Sequence, residues 1–342
     1  MKHEHPIFDE FESFYNYLND TTTRLVYPTF DASMEAFKEA FKLCEYTIPK
    51  MNFRDKQYPK LEIKETNPKR IIILFSGGKD SLATVLYYKK RGYDIMLYHL
   101  RGYNKVAPDE YKVVQKLAEY LELPLVIEEF DFVRISWQYD NPMIDRIAHI
   151  YALDWGIRNN FGVKIATGDF TTAQWEIAPN SAVLGGTDLF IDTENKILSK
   201  YIEGAEICRT NYNNHVAFKE FLHEPELLKL SMSCVHPQRF REKCRKQIKA
   251  KYDIDLLPNR CGYCWKCCVE YIYYTDHDVF EYNEDYYLHC LNGLKKAEER
   301  ESLLESSNIQ ELWDNFIFYP MTKSKMFPRI TKLKMRGKKV YV

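Results

Sequence analysis

The chain has 342 residues, enough for one large domain with additions or for two domains. Its net charge is −1, so no global field advertises a nucleic-acid or membrane partner, while 45% apolar residues supply a sizeable core. No N-terminal apolar segment resembles a signal peptide and no run approaches the roughly 18 residues of a membrane span, which predicts a cytoplasmic protein.

Residues 1–68 open with two stretches of helical apolar spacing, Phe8 to Leu18 and Met34 to Cys44, joined by a Thr-rich link with Pro28. A polar stretch ends at Pro68, and the region reads as an N-terminal helical extension without chemistry of its own. The apolar run Ile71 to Phe75 then predicts a buried strand. It leads directly into Ser76-Gly77-Gly78-Lys79-Asp80-Ser81 and a helix over 80–91. A strand, a glycine turn and a helix N-terminus make a phosphate cradle, because glycines admit an anion close to the backbone and first-turn N–H groups point at it. Asp80 adds a carboxylate suited to magnesium and Ser81 a hydroxyl donor. Lys79 occupies a position open to a phosphate contact or to solvent. The Walker A pattern G-x-x-x-x-G-K-[ST] is absent.

A strand over 94–100 and a helix over 108–121 follow. Next come a strand from Leu125 to Phe130, a helix over 142–160 with Pro142 near its start, and a strand from Val163 to Thr167 that ends at Gly168-Asp169. Strands alternating with helices of this length predict an α/β fold with a parallel sheet, whose ligands sit beyond the strand C-termini. Residues 170–230 carry loop signals and a closing helix from Val216 to Leu230. His149 on helix 142–160 reads as a packed or surface residue.

The chain contains nine cysteines, expected to be reduced in a cytoplasmic setting. Cys261-Gly-Tyr-Cys264-Trp-Lys-Cys267 has the C-x2-C-x2-C spacing that turns successive sulfurs onto one ion. Candidates for a fourth ligand are Cys234, Cys244, Cys268 and His236, with Cys234 preferred. A structural zinc is the favoured occupant, and an iron–sulfur cluster has the same ligand needs. The 26 tyrosines suit a packed core or base-stacking surfaces. The segment Arg239–Lys251 and the tail 322–342, which has eight Lys/Arg and no acid, are basic enough to meet RNA phosphates, or to form a solvated helix face and a frayed end.

Ser-Gly-Gly-x-Asp-Ser resembles the PP-loop of the N-type ATP pyrophosphatases, which implies a Rossmann-like, adenine nucleotide alpha hydrolase-like domain. It also implies that ATP is split between its α and β phosphates, with the loop holding the departing pyrophosphate. Together with Cys-Gly-x-Cys-x-x-Cys preceded by Ser-Cys, and the stretch from Asn141-Pro142 to Asp169, the chain over about 70–290 resembles the 7-cyano-7-deazaguanine synthases. The chain is then expected to divide into an N-terminal helical extension (1–68), a PP-loop ATP pyrophosphatase domain (69–230), a helical zinc-binding region (231–292), and a helix with basic tail (293–342), with the extension and the tail outside the resemblance.

The implied reaction is adenylation of a carboxylate, that of 7-carboxy-7-deazaguanine. Ammonia displaces AMP to give an amide, and a second activation gives the nitrile used in queuosine biosynthesis. Ser76, Gly77, Gly78, Lys79, Asp80 and Ser81 would hold the phosphates, with Asp80 and Ser81 as catalytic residues. Leu100 and Gly168 would lie near the adenosine, and Cys234, Cys261, Cys264 and Cys267 would bind zinc. ATP, Mg2+ and Zn2+ are the implied cofactors. A small-molecule carboxylate and ammonia are the implied partners, with a homodimer and a protein or tRNA substrate left open. The family's aromatic-Pro-Asp-Cys-Arg segment is missing, since the chain reads Asp169-Phe-Thr-Thr-Ala-Gln-Trp175, and Glu270 stands where an arginine is expected. These departures keep alive a divergent relative acting on another carboxylate in a defence reaction, a PP-loop tRNA sulfurtransferase, and a non-catalytic nucleotide-binding scaffold.

Overall fold

The computed structural model describes residues 67–101, 109–129, 144–168, 188–208, 224–232, 234 and 236–302. The expected N-terminal helices, residues 216–223 of the closing helix and the basic tail lie outside the described residues. The described chain divides into two compact units. The first contains residues 67–75, 84–101, 122–129, 144–168 and 188–208; the second contains 76–83, 109–121 and 224–302.

The first unit is built on a five-stranded sheet with every neighbouring pair parallel. Its strands are β1 (Arg70–Leu74), β2 (Asp94–Arg101), β3 (Leu125–Glu129), β4 (Lys164–Ala166) and β5 (Glu206–Cys208), in the order β3-β2-β1-β4-β5. Ile71, Ile72 and Ile73 are completely buried, as a central strand covered on both faces requires, and this is why β1 reads as a continuous apolar run. The strand order reverses between β1 and β4, so the switch point, where α/β sheets place their ligands, lies at the C-terminal end of β1. The two strand ends are tied down by polar contacts: His99 Nδ1 lies 2.9 Å from Phe75 O, and the Thr84 hydroxyl donates to Thr167 O at 3.4 Å.

Helix α1 (Lys79–Lys90) carries Asp80 in its first turn and Lys89 and Lys90 in its last, complementing the helix dipole. Helix α2 is Glu110–Leu121, α3 is Ile144–Arg158 and α4 is Asp188–Tyr201. The sequence pattern had anticipated β1 to β4 and α1 to α3 within two residues over the described stretch. Helix α4 and strand β5 fall in the segment where it offered only loop signals. His149 is fully buried on α3, its Nδ1 3.4 Å from the equally buried Glu194 of α4.

The second unit contains α2 and the C-terminal helices α5 (Pro225–Leu230), α6 (Gln238–Tyr252), α7 (Trp265–Asp276) and α8 (Glu284–Ser302). Its core is aromatic. Tyr271 packs edge-on against Tyr286 at 4.5 Å, and Tyr274 packs against Phe280 at 5.4 Å. Two of the buried hydroxyls find acceptors: Tyr286 donates to Gly262 O at 3.0 Å, and Tyr287 to Asp276 at 3.1 Å. These tyrosines serve as core. The basic run on α6 is mixed in role, because Arg241 is buried and pairs with Asp109 at 2.5 Å, while Arg239, Lys243 and Lys246 are exposed. Among the described residues no helix is long and apolar enough to cross a membrane.

Candidate phosphate loop and metal centre

The loop between β1 and α1 turns at Gly77, whose φ of +72° lies in the left-handed region that favours glycine. A Cβ there would also press on Leu117 at 3.2 Å and Val113 at 3.3 Å, so the backbone sits directly on α2. Ser76 and Ser81 close the loop on itself, with their hydroxyls 3.2 Å apart, and the Ser81 hydroxyl also donates to Gly78 O at 3.2 Å. Leu82 N–H closes the first helical turn on Gly78 O at 3.0 Å, so the helix N-terminus opens onto the loop. Asp80 and Lys79 form an ion pair at this N-terminus. Burial drives the Lys79 ammonium below its ordinary pKa, against the opposing pull of the Asp80 carboxylate.

The loop is held from the C-terminal side of the sequence. Met232 N–H donates to Gly77 O at 2.9 Å, and Met232 O lies 3.4 Å from where a Cβ of Gly78 would stand. The four cysteines named for a metal converge in the same unit. The sulfurs of Cys234, Cys261, Cys264 and Cys267 all lie within 4.8 Å of one another; three of the residues are buried and Cys264 is half-buried. Gly262, at φ +76°, makes the tight turn, and a Cβ there would collide with Leu256 at 2.4 Å. The N–H groups of Tyr263 and Cys264 donate to the Cys261 sulfur at 3.4 and 3.2 Å, bonds that favour a thiolate.

The donor set fits zinc. A tetrahedron with Zn–S of about 2.3 Å has sulfurs about 3.8 Å apart. Here Cys261 and Cys267 are 3.8 Å apart, Cys234 and Cys264 3.9 Å, and Cys264 and Cys267 3.4 Å. The spacing suits one ion at the centre. Hydrogen bonds from its neighbours pull the Cys234 thiol down, while their partnership pushes Cys264 and Cys267 up. Four thiols this close cannot all ionise without a cation to absorb the charge. Of the other candidate ligands, Cys244 is buried outside the group, and Cys268 turns toward Gly262 O and Tyr263 O. His236 lies 3.8 Å from the Cys234 sulfur, its ring stacked on Phe240.

Leu100 and Gly168 belong to the sheet unit. Leu100 is buried on β2 opposite Glu128, and Gly168 is half-buried just after β4.

Sequence reasoning missed the polar link beside the cysteines. Arg260 and Glu270 form an ion pair at 2.7 Å, and both are almost completely buried. Burial pushes the Glu270 carboxyl above the ordinary carboxylate range, against the pull of the guanidinium. The available signals were an arginine directly before Cys261 and an acid where a base was expected.

Residues 70–150 match the family model described as queuosine biosynthesis protein QueC. The 7-cyano-7-deazaguanine synthase 2 of Sulfurisphaera tokodaii is 34% identical over 106 residues, which cover 31% of this chain and 22% of that protein. Over this part of its length the chain is similar to 7-cyano-7-deazaguanine synthases. The corresponding synthase of Sulfolobus acidocaldarius is 36% identical over 73 residues, 21% of this chain and 16% of the relative. That of Saccharolobus solfataricus is 33% identical over 76 residues, 22% of this chain and again 16% of the relative. The matches thus span less than a quarter of the length of these curated relatives. The family-model match takes in the strand–loop–helix segment and ends before the four clustered cysteines.

Proposed function

We propose that the protein is an ATP-dependent carbon–nitrogen ligase that adenylates a carboxylate and converts it with ammonia to an amide and then a nitrile. The preferred substrate is 7-carboxy-7-deazaguanine and the preferred product 7-cyano-7-deazaguanine. The observation that carries the reading is the loop Ser76–Ser81, a glycine turn at positive φ leading straight into a helix N-terminus within the segment that matches the QueC family.

Catalysis at such a loop is positioning and charge stabilisation. The backbone around Gly77 and Gly78 admits the β and γ phosphates closely, and the N-terminus of α1 takes up charge as pyrophosphate departs. Ser76 and Ser81 offer hydroxyl donors to the same oxygens. Asp80 would hold magnesium, and Lys79, its ion-pair partner, would meet the phosphates. Magnesium, when bound, supplies further neutralisation of the phosphate charge. Leu100 and Gly168 are assigned to the adenosine end. Cys234, Cys261, Cys264 and Cys267 would hold zinc in a closed site with a structural role and no open position for substrate. A closed, buried thiolate set also weighs against the tRNA sulfurtransferase reading, which needs a cysteine accessible for sulfur transfer. The reading places the enzyme in the cytoplasm.

The test is a mass-spectrometric assay with ATP, magnesium, ammonium and 7-carboxy-7-deazaguanine that follows AMP and the nitrile together. Both products are expected from the wild type, and Asp80→Ala is expected to abolish AMP formation with the fold intact. Wild-type AMP release from that variant would remove Asp80 from the mechanism. Absence of AMP from folded, metal-loaded wild type would move the substrate search to other carboxylates.

A further inference from the structure

The Arg260 guanidinium makes an unusually complete set of bonds. Its Nε donates to Glu270 at 2.7 Å, its Nη1 donates to Ser231 O, and its Nη2 donates to Leu228 O at 3.2 Å and to the Ser231 hydroxyl at 2.9 Å. Asn259, the preceding residue, donates to Leu230 O at 2.9 Å. Two adjacent side chains thus gather the carbonyls at the C-terminus of α5, where a helix leaves its acceptors without intrahelical donors. The next residue along, Met232, is the one that holds Gly77 O, and two residues further on Cys234 places its sulfur against Cys264 at 3.9 Å. Segment 228–234 is therefore anchored three times: to the guanidinium, to the phosphate loop and to the metal centre.

We infer that the Arg260–Glu270 pair is a positioning device that locks segment 228–234 and thereby ties the backbone of the Ser76–Ser81 loop to the metal centre. Glu270 sits on α7, which begins directly after Cys264, so closing the four sulfurs on an ion also sets the carboxylate that aims the guanidinium. An arginine at position 270 would place a second guanidinium against the first. The acid at position 270 is thus matched to Arg260 immediately before the first cysteine of the cluster. Engaging Gly77 O leaves the loop's glycine backbone in one conformation, which removes an ordering cost from anion binding. Lys79 also responds to the Glu270 charge, consistent with the carboxylate lying on the loop's side of α7.

The functional consequence rests on the nucleotide reading above, whereas the structural link can be tested without it. The experiment is hydrogen–deuterium exchange on full-length, metal-loaded wild type, Glu270→Gln and Glu270→Asp, with metal content measured on each. In Glu270→Gln, amides of 76–82 and 228–232 are expected to exchange about tenfold faster, the loss of one backbone hydrogen bond, while strands β1 and β2 and the metal content stay as in wild type. Glu270→Asp is expected to restore much of the protection. Unchanged exchange at 76–82 in metal-loaded Glu270→Gln would overturn the inference, and so would acceleration spread evenly over the sheet. A parallel titration with a non-cleavable ATP analogue separates the two readings. Failure of wild type to bind it would remove the nucleotide assignment, and the exchange comparison would still decide the positioning role.

Discussion

The two units are held together by different physics. In the sheet unit the central strand buries Ile71, Ile72 and Ile73 on both faces, and polar contacts such as His99 with Phe75 O and His149 with Glu194 lie outside that apolar strand. In the other unit four sulfurs, a buried ion pair and tyrosines with satisfied hydroxyls fill the interior. Apolar burial tolerates local damage, because each residue contributes separately. A cluster of ionisable groups is all or nothing, because each member is costly to bury once its partners are gone. The phosphate loop belongs to the second kind of region.

The largest effect should follow loss of a sulfur ligand. Metal binding to sites of this type is worth about 10–16 kcal/mol in small zinc-folded peptides, as much as the whole stability of an ordinary domain. Cys267→Ser is expected to release the metal and to abolish exchange protection over 236–291, with the sheet strands still protected. Retention of protection there would mean that the tyrosine core suffices and that the two regions differ less than their composition suggests.

A graded loss should follow in the sheet. Ile72→Ala removes a fully buried side chain of β1 that sits between Met96 and Ile165 and reaches the backbone of Gly156. The expected cost is about 2–5 kcal/mol in urea unfolding, with metal content unchanged. A comparable loss of metal would show that the units do not respond independently.

The smallest effect concerns pH. Burial depresses the pKa of His99, against the hydrogen bond to Phe75 O, so the folded state holds the ring neutral where the unfolded chain takes up a proton. Stability from this site is therefore full above the ordinary histidine range and falls as pH drops below about 6.5. His99→Gln should flatten the stability profile of the sheet unit between pH 7 and 5.5. An unchanged slope would assign the acid sensitivity elsewhere.

Much of the architecture could be read ahead because it is locally encoded. Ile71 to Phe75 announces a strand buried on both faces, and C-x2-C-x2-C needs only its own turn to converge. Strand β5, Glu206–Cys208, is three residues long and partly exposed, which leaves no period to detect. Helix α4 carries the buried Glu194 and has Asn195 engaged with the backbone of Ile207, so polar residues interrupt its apolar stripe. Cys234 could be narrowed to a short list by residue type, but the choice depends on a chain path that brings it back over the loop. Arg260 and Glu270 show no pattern at all until α7 is folded, since a buried ion pair has no period and no fixed spacing.

The hydrogen bond from Met232 to Gly77 also sets an order of assembly. These residues are roughly 150 positions apart in the chain, a span that takes on the order of ten to thirty seconds to synthesise. A ribosome exposes the glycine turn long before the residue that holds it, or any of the four sulfurs, has been made. Strands β1 to β4 can pair during that interval, because their partners are already present. The phosphate cradle is completed last, so a half-made chain carries the sheet without the finished loop. A premature stop before residue 232 would yield a product that keeps the most legible part of the fold and lacks the contact that shapes its loop.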